Sequence, residues 1–399
     1  MLSLAVECKN PDRRAMNDQR FSESLSVGNG VKRIVGVISF MNIGGAQSAL
    51  LRLARGLRAR GHLVEVWCLY EKASPAISDD HLFTFIARPR LSLLEYLKVY
   101  IRLVLRFRRM KPDAVIGFLP LGNVFGLSAA ALTGIPRRVA SQRSPGTTYG
   151  KVVRVLDRMF GVTNIYHSIT CVSEAVRASF SGYPRQYCDK LSVIYLGIDW
   201  VPSGLDKTSA RQQLGLPLDG PLIIAVGRLE NQKNHSFLIN VVAKIKDLHV
   251  AIAGEGTLRQ ELEQLAHSSG VADRITLLGQ LDQNSVRHLF KAADIFVQPS
   301  LYEGQGNALL EAMHAGLPVI ASDLPEHRET LCDGSDNIAG LLVSLDDIDG
   351  WVNALRCVID DPVYAKNMGM HAMDLVQNRF PLDHMIDEFE KVLTGQITK

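Results

Sequence analysis

Along this chain of 399 residues, short apolar runs rich in β-branched side chains alternate with segments of helical hydrophobic period, and the alternation starts twice. That pattern is the signature of parallel sheets whose strands are joined by crossover helices. The first set opens with Arg33–Phe40 (RIVGVISF), then Asn42 and Gly44-Gly45, a helix over about 46–60 closed by Gly61, and a strand at Leu63–Leu69. Further strands are predicted at Ala114–Phe118, Arg138–Ser141, Ser168–Val172 and Leu191–Tyr195. The second set opens with Leu222–Val226 (LIIAV), a helix over 234–246 and a strand at Val250–Ala253; later strands fit Ile275–Leu278, Ile295–Val297, Val319–Ala321 and Gly340–Val343. Pro202, Ser203 and Gly204 mark a linker between the sets. The resulting division is a flexible tail over 1–32, a first α/β domain over 33–197, a linker over 198–207, a second α/β domain over 208–378 and a C-terminal segment over 379–399. Two Rossmann-like domains would face each other across a cleft. Open α/β sheets bind ligands at the carboxyl ends of their strands, so the cleft is the expected site.

A composition of 47% hydrophobic and 21% charged residues excludes disorder as the main state. No apolar run approaches the roughly 18 residues that a membrane span needs. Cysteines stand at 8, 68, 171, 188, 332 and 357 without a C-x-x-C pair, so they read as buried thiols of a reducing compartment, with neither zinc site nor disulfide framework. Met1–Lys32 carries Glu7, Lys9, Asp12, Arg13, Arg14 and Arg20, which does not suit a signal peptide and points to a cytoplasmic protein.

The charge is divided unevenly. Residues 33–200 hold 23 Lys and Arg against 10 Asp and Glu, a net +13, whereas 201–399 hold 16 against 27, a net −11. A basic half can meet nucleic acid, an anionic membrane surface or a phosphorylated substrate. The densest basic stretch, Leu91–Lys111, favours the last two, because Leu94, Leu97, Ile101, Val104 and Leu105 recur at helical spacing beside Lys98, Arg102, Arg106, Arg108, Arg109 and Lys111. The same stretch also reads as a core helix with a solvated basic face.

Four loops carry candidate chemistry. Gly44 and Gly45 lie between the first strand and its helix, where absent Cβ atoms let a phosphate or sugar approach the helix amides. Arg228 and Lys233, in the loop Val226–Asn234 after the opening strand of the second domain, could hold a diphosphate between them and neutralise a leaving group. Gly254 and Gly256, in AGEGTLR, imitate a dinucleotide fingerprint but place Arg259 at the third glycine, so a close turn against a ligand fits better than NAD. In QPSLYEGQGNALLEAM, a strand runs into a loop and a helix ending near Gly316; Glu303 and Glu311 can accept from sugar or ribose hydroxyls, and the helix amides form an anion site. Asp347-Ile348-Asp349 reads as a helix cap rather than a metal motif, and Glu326-His327-Arg328-Glu329 as a surface loop.

Taken together, the Glu303-x7-Glu311 pair, the GRL-x4-N loop, Gly44-Gly45 and AGEG resemble, in the same order, the retaining glycosyltransferases of family 4, over roughly residues 33–395. Phe380-Pro381 and the following helix resemble that family's C-terminal helix. The resemblance implies the GT-B fold, with that helix crossing back to an acceptor-side first domain. It implies transfer of a sugar from a nucleotide sugar with retention and no metal or cofactor. Arg228 and Lys233 would hold the donor diphosphate, Glu311 the ribose, and Glu303 with Gly304, Gln305, Gly306, Asn307 and Ala308 the donor sugar. Gly44 and Gly45 would approach from the other domain, and the stretch Leu278-Gly279-Gln280-Leu281 would border the base. Gln47 stands where many members carry Glu, implying an altered acceptor-side contact. Arg143 stands where several carry His and resembles a Ser-x-Arg pattern of subfamilies acting on lipid-linked sugars; it could steady a phosphate but not act as base. The implied partners are a nucleotide sugar, UDP-linked as the commoner donor, and a glycan or polyprenyl-diphosphate-linked acceptor at the inner membrane surface, with no nucleic acid. A nucleotide-sugar epimerase or a non-catalytic sugar-nucleotide-binding scaffold are the rival readings.

Overall fold

The computed structural model describes residues 30–41, 44–71, 82–86, 92–332, 334 and 338–396. Residues 1–29, which make up most of the tail, Asn42 and Cys8 lie outside them.

Strands β1 (Arg33–Met41), β2 (Leu63–Glu71), β3 (Leu82–Ile86), β4 (Ala114–Phe118), β5 (Arg137–Gln142), β6 (Ser168–Cys171) and β7 (Leu191–Val193) form one parallel sheet in the order β3-β2-β1-β4-β5-β6-β7. Strands β8 (Leu222–Val226), β9 (His249–Ala253), β10 (Ile275–Gly279), β11 (Ile295–Gln298), β12 (Val319–Ser322) and β13 (Leu341–Val343) form the second, in the order β10-β9-β8-β11-β12-β13. The central strands β1, β4, β8 and β11 are buried almost throughout, as strands covered by helices on both faces must be. β3 was not legible from the sequence: a five-residue edge strand needs no buried run on both sides.

Six of the helices shape the cleft and its flanks. α1 (Gly45–Ala59) buries Leu50, Leu53, Ala54 and Leu57 on one side. α2 (Leu93–Met110) opens with a capping box between Ser92 and Glu95, and α3 (Lys151–Val162) follows β5. α4 (Asn307–His314) follows β11. α5 (Pro362–Arg379) packs on α4 and β12, and α6 (Leu382–Thr394) packs on α1, β4 and β5 of the first sheet. The return of α6 completes the GT-B arrangement. Phe389 stacks toward Phe118, Arg60 and His62 bond Glu390, and Arg137 Nε donates to the Val392 carbonyl. The outgoing and returning chains run side by side: Ile198 bridges Pro381, and a Cβ on Gly197 would meet the Leu382 backbone at 2.4 Å.

The structure corrects three sequence readings. In α2 the residues facing the sheet are Val99, Leu103 and Phe107, while Leu94, Leu97, Ile101 and Leu105 point outward. The helix is apolar on two sides, so spacing alone could not choose the buried one. Among the described cysteines only Cys68 and Cys171 are buried; Cys188 and Cys332 are half-buried and Cys357 is exposed. Glu326 and His327 belong to a buried helical turn, not to a surface loop.

Candidate active site

In each sheet the strand order reverses between its two central strands, and an open α/β sheet leaves a crevice at the carboxyl ends there. In the second sheet that point lies between β8 and β11, whose following loops carry Arg228 and Lys233 on one side and Glu303–Asn307 on the other. In the first it lies between β1 and β4, so Gly44 and Gly45 border it.

Backbone and side chains tie the two loops of the second domain together. Leu301 N–H donates to the Gln232 carbonyl at 2.9 Å, Gln232 Nε2 to the Tyr302 carbonyl at 3.0 Å, and Arg228 Nη2 to Gln232 Oε1 at 3.1 Å. At their centre Lys233 Nζ donates to Glu303 Oε1 at 2.6 Å, and Ser300 Oγ donates to the same oxygen at 2.7 Å. Burial alone would raise the Glu303 carboxyl, but Lys233, His327 and Ser300 outweigh it and hold it below the ordinary carboxylate value. Glu303 is therefore a fixed anion that aims the Lys233 ammonium, which keeps two N–H bonds for a ligand. The His327 that stands behind it is locked between Ser322 and Gln298.

Glu311, one turn into α4, has a different environment. Burial lifts its carboxyl to about 7, and Arg52, Arg287 and Lys233 offset this only in part. Arg52, a residue of α1 that the motifs did not single out, reaches across the cleft: its Nη2 donates to Asn307 Oδ1 at 3.0 Å. Spacing held a signal for it, because Gly45 and Arg52 are seven residues apart and share one face of α1. Arg143 lies 5.2 Å over the Phe118 ring, and burial followed by the like charge of Arg52 lowers its pKa to about 9. It stays cationic at neutral pH.

The loop 303–307 is gripped by the first domain along its length. Ser173 Oγ donates to the Gly304 carbonyl at 2.7 Å, and Leu196 N–H donates to Gln305 Oε1 at 2.7 Å. Glycine is required where backbones touch. A Cβ on Gly304 would lie 2.3 Å from the Arg143 carbonyl, whereas one on Gly45 would lie 2.5 Å from a side-chain atom, Asn307 Nδ2. Gly306, the residue before α4, has φ +85. Ala308 follows as a buried residue of the first turn. Gly44 is extended and caps α1 without a side chain.

The AGEG turn packs closely on the loop that carries Arg228. What Gly254 and Gly256 approach is protein backbone: Cβ atoms there would meet the Gly227 carbonyl at 1.9 Å and the Leu229 carbonyl at 2.3 Å. The two glycines seat the Arg228 loop. Gly279 joins this layer, its carbonyl accepting from Gly254 N–H at 2.8 Å, with half-buried Leu278 beside it. Gln47 is corrected, since it is buried and donates to the Phe40 carbonyl instead of facing an acceptor. Asp347 caps its helix by accepting from Gly350 N–H at 2.7 Å. Among the described residues, no group of three or more His, Cys, Asp or Glu is placed to hold a metal ion.

Two Rossmann-like domains, facing switch points and a returning terminal helix define a GT-B protein. Residues 43–200 match the family model described as Glycosyltransferase Family 4, and residues 206–374 the model described as Glycosyl transferases group 1. An uncharacterized glycosyltransferase of Methanocaldococcus jannaschii is 40% identical over 144 residues, 34% of this chain and 37% of that protein. The UDP-Gal:alpha-D-GlcNAc-diphosphoundecaprenol alpha-1,3-galactosyltransferase of Escherichia coli is 27% identical over 327 residues, 77% of this chain and 81% of that protein. The crystal structure of Anabaena HepE in complex with UDP and glucose shares the fold, at TM-score 0.78 and 20% identity over 91% of this chain and 100% of that chain. The chain belongs to the family 4 glycosyltransferases.

Proposed function

We propose that the protein is a retaining, metal-independent hexosyltransferase that moves a hexosyl or N-acetylhexosaminyl group from a UDP-sugar to a glycan or polyprenyl-diphosphate-linked saccharide, in polysaccharide or lipopolysaccharide synthesis. Its place of work is the cytoplasmic side of the cell membrane, as a peripheral protein. The observation that carries this reading is the Lys233–Glu303 pair beside the start of α4, a preset cation aimed into a cleft whose other wall carries Arg52 and Arg143. The lipid-diphosphate acceptor in the name of the Escherichia coli relative and the UDP and glucose of the Anabaena complex support it.

In this mechanism Arg228 and Lys233 hold the donor diphosphate and take up the charge that grows as the bond from the anomeric carbon to the phosphate oxygen breaks. The acceptor oxygen bonds to the same face of that carbon, and its proton passes to the departing phosphate. No side chain serves as base. Glu311 receives the ribose hydroxyls, and Gly304–Ala308 hold the sugar. The test is calorimetry with UDP, GDP and ADP, with and without EDTA, on the wild type and on Lys233→Ala. Micromolar, EDTA-insensitive binding of one nucleotide that weakens at least about tenfold in the variant is expected. Binding of none would defeat the nucleotide-sugar reading, and a wild-type affinity in Lys233→Ala would remove the site assignment.

A further inference from the structure

The outward row of α2 is an apolar feature that the active site does not use. Leu94, Leu97, Ile101 and Leu105 are 49–71% exposed, and no described residue covers them. On α3, Val152, Val155 and Met159 are 54–73% exposed. An open groove of about 300 Å³ joins the two helices, walled by Tyr96, Leu97 and Tyr100 of α2, Val124 and Phe125 of the π-helical turn after β4, and Phe160 of α3. Phe125 packs against both tyrosine rings, at 5.7 and 5.8 Å, so the groove floor is a fixed aromatic surface. Water-facing apolar area of this extent on a single domain marks an interaction site.

Charge selects the partner. Lys98, Arg102, Arg108 and Lys111 on and after α2, with Lys151 and Arg158 on α3, are exposed beside the apolar rows. The two helices carry only two carboxylates: Glu95 is bound into the capping box of α2, and Asp157 is buried against Gln142 and Tyr187. An apolar strip with a cationic margin matches the boundary between headgroups and hydrocarbon of an anionic leaflet. Position agrees. Crossover helices of a parallel sheet begin at the strand carboxyl ends, so Leu94, Leu97, Val152 and Val155 lie at the cleft edge of the domain.

We infer that the outward faces of α2 and α3, with the groove between them, dock on an anionic bilayer and hold the cleft mouth at its surface. The inference rests on the lipid-linked acceptor proposed above and extends it to a defined surface and lipid charge. The full chain is sedimented with phosphatidylcholine vesicles, with and without phosphatidylglycerol, at low and high salt, beside nucleotide calorimetry on the same samples. Wild type is expected to pellet with the anionic vesicles only and to be released by salt. The outward-facing double variants Leu97→Glu/Ile101→Glu and Lys98→Glu/Lys151→Glu are each expected to bind at least about tenfold more weakly, with nucleotide affinity unchanged. Wild type remaining in the supernatant, or Leu97→Glu/Ile101→Glu pelleting like wild type, overturns the inference. It is equally overturned if wild type is a dimer that this variant makes monomeric without loss of vesicle binding, because the face then belongs to a second copy. Vesicle binding as expected without nucleotide binding would retain the docking face and defeat the transferase reading instead.

Discussion

Glu303 and Glu311 are two carboxylates eight positions apart, and their surroundings divide their work. Glu303 is ionised by its bond to Lys233, whereas Glu311 is lifted to about 7 because its burial is not matched by a bonded cation. An unfolded glutamate titrates near 4.3, so between that value and 7 the native state binds more protons than the unfolded state, and Glu311 makes stability fall as pH rises through this window. Glu311→Gln is therefore expected to be the more stable protein at about pH 8, by on the order of 1 kcal/mol after allowance for its open side, with the gap closing toward about pH 5. Nucleotide affinity of the wild type is expected to rise as pH passes through about 7, and the same substitution should flatten that rise, since only the ionised carboxylate accepts fully from ribose. Denaturant melts and calorimetry across that range check both. The sequence made these two glutamates visible because chain spacing alone places them around a helix start. Ser173 stayed hidden because its partner Gly304 is 131 residues away, and for Arg52 the spacing from Gly45 marked a helix face but not its partner Asn307, 255 residues away.

At the scale of elements, the loop 303–307 is where the domains read each other. Gly304→Ala places a methyl group 2.3 Å from the Arg143 carbonyl, a backbone atom that cannot step aside. The loop must then back away from the first domain by a fraction of an ångström. Turnover is expected to fall on the order of 10²-fold, since misplacement of that size is costly to a positioned reaction. Nucleotide affinity should stay near wild type, because Arg228, Lys233 and Glu311 all belong to the second domain. Unchanged turnover would show that this contact is not part of the productive state. Strands were the most legible elements: β4 and β8 are continuous apolar runs, and their limits coincide with those runs. α2 was legible as a helix but not in its rotation, because Leu94–Leu105 and Val99–Phe107 offer two apolar rows and only the β-sheet decides between them.

For the molecule as a whole, α6 is the fastening. Met385, Ile386, Phe389 and Leu393 are buried against the first domain, and Ile386 fills the space where Gly56 has no side chain. At about 1.5–3 kcal/mol for each buried large apolar side chain, their loss is comparable to the 5–15 kcal/mol that holds a domain folded. Ending the chain at Phe380 is therefore expected to unfold the first domain or make it insoluble, while the second domain keeps its core. A truncated chain whose melting temperature stays within a few degrees of the full chain's would contradict this. The paired crossings at Gly197–Ile198 and Pro381–Leu382 were legible only as a linker and a terminal segment, since their meeting depends on both sheets having formed.

That return has a consequence during synthesis. Ribosomes deliver the chain from its N-terminus, and domains ordinarily finish in that order. Here β4 and β5 leave the exit tunnel long before Phe389 arrives to cover Phe118. The second domain, whose residues lie between, is complete first. The leading half therefore waits with an uncovered flank until α6 emerges to cover Phe118 and fill the space beside Gly56.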